Sequence, residues 1–193
     1  MSSTEYLIGR NCGITFAGIK PASMISVKTE ESGLAEKITE NFSHRGFFLV
    51  RLKCYEKRCI NLIYNENALK KVLFSKENRE FLHEYGYEYV SVKEAIDKLK
   101  ERMKEDDFPH EIGIFLGYPL CDVKGFIHSP HEGIKLCGYW KVYSDEAVTA
   151  KKFDRFRKCS ECICRRMEQG ESLAKIFKTG QTGNIPQGYR RLT

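Results

Sequence analysis

Residues 45–65, "RGFFLVRLKCYEKRCINLIYN", constrain the fold more than any other stretch. Two runs rich in aromatic and β-branched residues flank the polar "YEKR", which is the pattern of an antiparallel hairpin. The segments around it supply what a hairpin needs to be buried. "SMISVK" (23–28) reads as a further buried strand. Residues 30–44 set Leu34, Ile38 and Phe42 four apart, on one helical face. The small residues, glycines and proline of "NCGITFAGIKPAS" (11–23) predict a shaped loop ahead of that first strand.

Downstream, residues 66–85 read as one or two short helices. "SVKEAIDKLKERM" (91–103) is the clearest helix: Ser91 and Glu94 form a capping box, and Val92, Ala95, Ile96, Leu99 and Met103 form the apolar stripe. "EIGIFLGY" (111–118) is short, apolar and aromatic and predicts a strand. "PLCDVKGFIHS" (119–129) opens with proline, as first helical turns do. "IKLCGYWKVYS" (134–144) predicts another strand, with Gly138 at a bulge or a close approach. From Asp145 onward Phe153, Phe156, Ile163 and Met167 fall at helical spacing, and Gly170 ends that helix. The order of elements implies an α/β or α+β chain with a mixed central sheet, a β-hairpin, flanking helices and a helical C-terminal third. Of the 193 residues 41% are hydrophobic, enough for one domain over 1–178, with the glycine-rich 179–193 as a flexible tail.

No run approaches the roughly 18 to 20 apolar residues of a membrane helix, and "MSSTEYLIGRNCG" lacks the basic start and apolar core of a secretory signal. The expectation is therefore a cytoplasmic protein with no membrane partner. Its eight cysteines are then expected as reduced thiols, core fillers or metal ligands, not a disulfide framework. The formal charge of +6 is uneven: residues 1–150 carry 21 Lys/Arg against 22 Asp/Glu, and 151–193 carry 11 against 4. Such a surplus offers a surface for an acidic protein or nucleic acid, or is simply a solvated helix face.

Four constellations bear on chemistry. Cys12 precedes the first strand, and His110 and Glu111 stand just before a later apolar run. In this order a thiol can be the nucleophile, the imidazole its base and the carboxylate an orienter. The alternative is a structural or ligand-contacting role. In "CSECIC", Cys159 and Cys162 have metal-ligand spacing. Helical geometry, however, turns Cys164 about 140° from Cys159, and no glycine provides the turn of a zinc knuckle. Cys54 and Cys59 are the available partner pair for a thiolate metal or iron–sulfur site; otherwise the cysteines fill core gaps. No phosphate-binding glycine motif occurs, which argues against the common nucleotide-dependent classes, and no cofactor is named by the residues. "GYWKVYSDE" interleaves Tyr139, Trp140 and Tyr143 with Lys141, suited to stacking on a planar ligand or to a core position for Trp140.

Four stretches in fixed order, "CGITFAGIKPAS", "FPHEIGIFLGYPLCDVKGFI", "CGYWKVYSD" and "FDRFRKC", make the chain resemble a domain-of-unknown-function family of similar length from anaerobic, clostridia-like Gram-positive bacteria. The resemblance runs to about residue 178. It departs from the family pattern at Gly13 or Ile14, where proline is usual, and at Cys121, where an acidic residue is common. That family has no established activity, so the resemblance implies an address for a site rather than a mechanism. Its motif positions include Cys12, Lys20, His110, Glu111, Gly117, Tyr118, Asp122, Gly138, Trp140 and Lys141. The resulting expectation is a small-molecule or thiol-dependent site with Cys12, His110 and Glu111 as catalytic candidates. Lys20, Tyr118, Asp122, Trp140 and Lys141 are the ligand-binding candidates, and Cys159 and Cys162 the metal candidates. The rival expectation is a regulatory module that binds through its basic C-terminal helix.

Overall fold

The computed structural model describes residues 2–178; the expected tail, 179–193, lies outside the described residues. Strands β1 (Ala22–Lys28), β2 (Phe47–Cys54) and β3 (Arg58–Asn65) form an antiparallel sheet in the order β1-β3-β2. The hairpin β2–β3 pairs Phe48 with Tyr64 and Cys54 with Cys59, with a register shift between Arg51 and Lys53. Cys54 and Cys59, directly opposite at its turn, are joined as a disulfide. That corrects the expectation for this pair: joined to each other, neither sulfur is a thiolate for a metal.

Both faces of the sheet are covered, because alternate residues feed two separate cores. On one face Ile25, Val27, Phe47 and Ile63 pack under α1 (Ser3–Phe16) and α2 (Ser32–Glu40). On the other, Ala22, Leu52 and Leu62 pack under α3 (Glu66–Leu73), α4 (Lys76–Glu84) and α5 (Val92–Arg102). Helix α5 starts as its sequence demands: Ser91 accepts from the Glu94 N–H at 3.2 Å and Glu94 accepts from the Val90 N–H at 2.9 Å. In α2 the buried face is Ala35, Ile38 and Thr39, so Leu34 is turned out to solvent.

Of the expected N-terminal "loop", 17–21 are a turn ahead of β1, but 11–16 belong to the helix α1. Ser2 caps it by accepting from the Glu5 N–H at 3.1 Å. Its glycines serve helix contact, not a turn: a Cβ at Gly9 would lie 2.2 Å from Met167 Sδ, and one at Gly13 2.7 Å from Ile163 Cδ1. Both neighbours belong to α8 (Glu146–Glu168), which crosses α1 there. Gly13 reads as a loop residue in sequence because its role depends on a helix some 150 residues away.

Residues 111–118 are likewise not a strand. They form the short helix α6 (Ile112–Phe115), sealed by a Schellman turn in which Tyr118 N–H donates to Gly113 O and Gly117 N–H to Ile114 O, both at 2.9 Å. Gly117 takes the left-handed conformation this requires, at φ +73°. Ile112, Ile114, Phe115 and Leu116 are all buried, so no periodicity separated helix from strand. Helix α7 (Leu120–His128) follows Pro119 as expected, and β4 (Leu136–Cys137) and β5 (Lys141–Val142) form a two-stranded ribbon. Gly138 is a close approach: a Cβ there would meet the Phe153 ring at 2.4 Å. The chain ends its described part with α9 (Leu173–Ile176).

Candidate functional site

The Schellman turn after α6 delivers Tyr118 to the junction of the two cores. Its ring stacks on Trp140 from the β4–β5 ribbon, centroids 4.6 Å apart and planes 26° from parallel. Asp122, one turn into α7, locks that ribbon in place. One carboxylate oxygen accepts the Trp140 indole N–H at 2.7 Å, and the other accepts the backbone N–H groups of Tyr143 and Ser144 at 2.8 and 2.9 Å. Burial alone would raise the pKa of this carboxyl, but these donors outweigh it and hold Asp122 below the ordinary carboxylate value. Asp122 is 1% exposed and is the joint of the site.

Around this joint lies a cavity of about 290 Å³. Tyr118, Asp122, Trp140, Lys141 and His110 line it, with Phe108, Phe126, Val123 and Leu116 completing an apolar wall and Met24 of β1 at its side. The His110 ring is exposed and meets Phe126 edge-on at 4.9 Å and Phe108 at 5.5 Å. Lys141 Nζ donates to the Pro130 carbonyl at 2.7 Å and sits 5.3 Å from the Phe126 centroid. Two of its three N–H groups are left for a guest. The arrangement sets an imidazole and an ammonium beside a largely apolar wall.

The structure divides the remaining candidates. Glu111 is 1% exposed and does not line the cavity. It accepts from Tyr87 Oη at 3.1 Å and Arg102 Nε at 2.9 Å, an ion pair that anchors the start of α6 to α5. Desolvation, and then the Glu111 charge, push the Tyr87 phenol upward, so it stays a donor in this bond. His110 and Glu111 therefore face different surroundings despite adjacency: one points to the cavity, the other to a buried pair. Cys12 sits on the inner face of α1, fully buried in the first core and absent from the cavity wall. Desolvation pushes its thiol up to about 12, against a smaller opposing pull from Lys20, so at neutral pH it is a thiol. Cys159 is buried on the inner face of α8 and Cys162 is half-buried. Among the described residues no group of three or more His, Cys, Asp or Glu is gathered for a metal ion.

Lys20 lies outside the cavity, on the loop between α1 and β1, and is only 8% exposed. Its ammonium is 5.1 Å from the Tyr118 centroid. Burial, and to a lesser degree the nearby Lys152, bring its pKa down to about 8, partly opposed by Cys12. Phe108, Phe126 and Val123 are among the wall residues that the sequence reading passed over. Phe108 and Phe126 flank the His110 motif in sequence, and those two aromatics were the signal available.

Residues 8–177 match the model of a family described as protein of unknown function (DUF3793), and the chain belongs to that family. No curated protein and no solved structure matches it. No helix among the described residues is long and apolar enough to cross a membrane.

Proposed function

We propose that this DUF3793 family member is a cytoplasmic small-molecule-binding protein whose ligand, a compact aromatic or branched carboxylate, occupies the cavity beside the Tyr118–Trp140 stack. One observation carries the reading. Five candidate residues from two stretches, His110, Tyr118 and Asp122 from 108–127 and Trp140 and Lys141 from 137–145, line one cavity of about 290 Å³. The apolar wall supplies most of the affinity by burial, and Lys141 and His110 orient the carboxylate. Asp122 takes no part in chemistry; it is a positioning residue whose oxygens are engaged by the ribbon. A thiol-dependent reaction finds little support, since Cys12 is a buried thiol pushed up to about 12.

Trp140 is the chain's single tryptophan and forms part of the wall, so its fluorescence reports on occupancy. Titration with benzoate and phenylacetate is expected to give a saturable change. Val123→Phe, which adds a ring to the cavity wall, is expected to abolish it, and Lys141→Met to weaken it at least tenfold for the carboxylates but not for toluene. Saturation left intact in Val123→Phe, with the variant folded by circular dichroism, refutes the assignment.

A further inference from the structure

The disulfide Cys54–Cys59 stands at the tip of the β2–β3 hairpin, and neither cysteine lines the aromatic cavity. Its two ends meet different surroundings. Cys54 is exposed, and so are residues 55–58 of the turn that follows it. Cys59, on β3, is only 1% exposed. One end of the bond is therefore open to a reagent from solvent and the other is closed. Exchange needs a thiolate to reach one sulfur, so an exposed disulfide is the labile kind. In a cytoplasmic protein, the setting proposed above, such a pair cycles between two states and does not persist as a fixed staple.

The tip does not need the bond to hold its shape. Tyr55 N–H donates to the Arg58 carbonyl at 2.8 Å and closes the turn. That makes 54 and 59 the adjoining non-hydrogen-bonded pair, with Cα atoms 4.1 Å apart. Thr29 N–H donates to the Lys57 carbonyl at 3.1 Å, and Thr29 Oγ1 to the Glu56 carbonyl at 3.3 Å. The Arg58 guanidinium donates to the Ser26 carbonyl at 2.7 Å and to Ser26 Oγ at 2.8 Å. Asn61 Nδ2 donates to the Cys59 carbonyl at 3.0 Å. These bonds keep the two cysteines opposite each other with the disulfide open, so closure between them outcompetes pairing with a distant thiol. Cys59 Sγ lies 3.9 Å from the Thr29 hydroxyl, a polar neighbour for the freed sulfur.

We propose that Cys54 and Cys59 form a reversible exchange site for low-molecular-weight thiols, with Cys54 as the attacked sulfur and Cys59 as the released one. A thiolate bonds to Cys54 Sγ as the Cys54–Cys59 bond breaks. The electron pair leaves on Cys59 Sγ, which takes a proton from water. A second thiolate then attacks the added sulfur of the mixed disulfide and expels Cys54, which is protonated in turn. Two small thiols are oxidised to one disulfide, and the protein disulfide is reduced to two thiols. A low-molecular-weight disulfide runs the same steps backward. The site does not depend on the cavity reading and survives its failure.

The test uses the full chain with Cys121→Ser and Cys137→Ser, which remove the two exposed free thiols. Reduced glutathione is added in native buffer, the reaction is quenched with N-ethylmaleimide in guanidinium, and the peptides are mapped by mass. The intermediate is expected to carry glutathione on Cys54 and maleimide on Cys59, and the end product maleimide on both. Reduction in native buffer is expected within about tenfold of its rate in guanidinium, since access and not unfolding limits it. Oxidised glutathione should then restore the 54–59 link, with circular dichroism and Trp140 emission unchanged throughout. Reduction slower than that margin makes the pair a fixed staple and overturns the proposal. So does glutathione found first on Cys59, and so does re-oxidation that joins either cysteine to a different one. Loss of the folded spectrum on reduction overturns it as well. The wild-type chain, mapped in the same way, gives the same readings should the double variant not fold.

Discussion

Replacing Lys20 by methionine is expected to make the protein more stable, although it deletes a charge. The magnitude follows from the environment. An unfolded-chain lysine titrates near 10.5 and this one near 8, and at about 1.4 kcal/mol per tenfold in the equilibrium that difference is about 3 kcal/mol of burial cost at neutral pH. The contact with the Tyr118 ring at 5.1 Å returns about 1 kcal/mol. Lys20→Met keeps the length and apolar character of the stem, so a net gain of about 2 kcal/mol is expected, equivalent to about 4 to 8 °C in Tm for a chain of this size. The pH dependence has a definite sign. Between about 8 and 10.5 the unfolded chain holds a proton on Lys20 that the folded chain has lost, so stability rises with pH in that window. Cys12 acts oppositely: its folded pKa of about 12 exceeds the ordinary 9.0, so between about 9 and 12 the folded state holds the extra proton and stability falls. The wild type should therefore gain stability from pH 8 to 9 and flatten or decline above, whereas Lys20→Met should lack the gain. Guanidinium unfolding followed by Trp140 fluorescence at pH 7.0, 8.0 and 9.0 measures both. A Lys20→Met protein that is less stable than wild type at pH 7.0 in anion-free buffer refutes the reasoning, since it would show that the amine already has a partner.

Other expectations follow from single contacts. Gly117→Ala should cost about 2 to 4 kcal/mol in chemical unfolding, since an L-residue resists φ +73° and its Cβ would lie 2.6 Å from the Pro21 ring. Asp122→Ala should cost about 3 kcal/mol or more, because it leaves the Trp140 indole and two backbone N–H groups without acceptors, and the Trp140 emission should shift as the ribbon loosens. As pH falls below the ordinary carboxyl value of 3.8, protonation of Asp122 removes stability, a loss absent from Asp122→Asn. Under iodoacetamide at pH 7.4, Cys121 and Cys137, both exposed, should label long before Cys12; peptide mass mapping that finds Cys12 modified first would contradict its burial.

Much of this architecture was legible in local chemistry. The hairpin, the boxed helix α5, the proline-led α7 and the long α8 each carry their signal within a dozen residues. What escaped depends on distant partners. Gly13 looks like a loop residue until α8 lies across it, and "EIGIFLGY" looks like a strand because burial on all sides erases period. The Gly117-Tyr118 turn was the overlooked helix stop. Of the ligand-binding candidates that the resemblance marked, Tyr118, Asp122, Trp140 and Lys141 line one cavity, and Lys20 lies outside it. Glu111 was misassigned because adjacency in sequence to His110 says nothing about which way a buried side chain turns, and Arg102 and Tyr87 decided it. Cys12 followed the same error, since a loop thiol and a helix-interior thiol differ only in what packs over them.

The central claim is that the Tyr118–Trp140 cavity takes a small aromatic carboxylate, and the most direct measurement is a structure of the protein determined with phenylacetate. The ring is expected against Trp140 and Phe126 with the carboxylate within hydrogen-bonding reach of Lys141 Nζ. A cavity holding only water at saturating phenylacetate, or the ligand bound elsewhere, would contradict it.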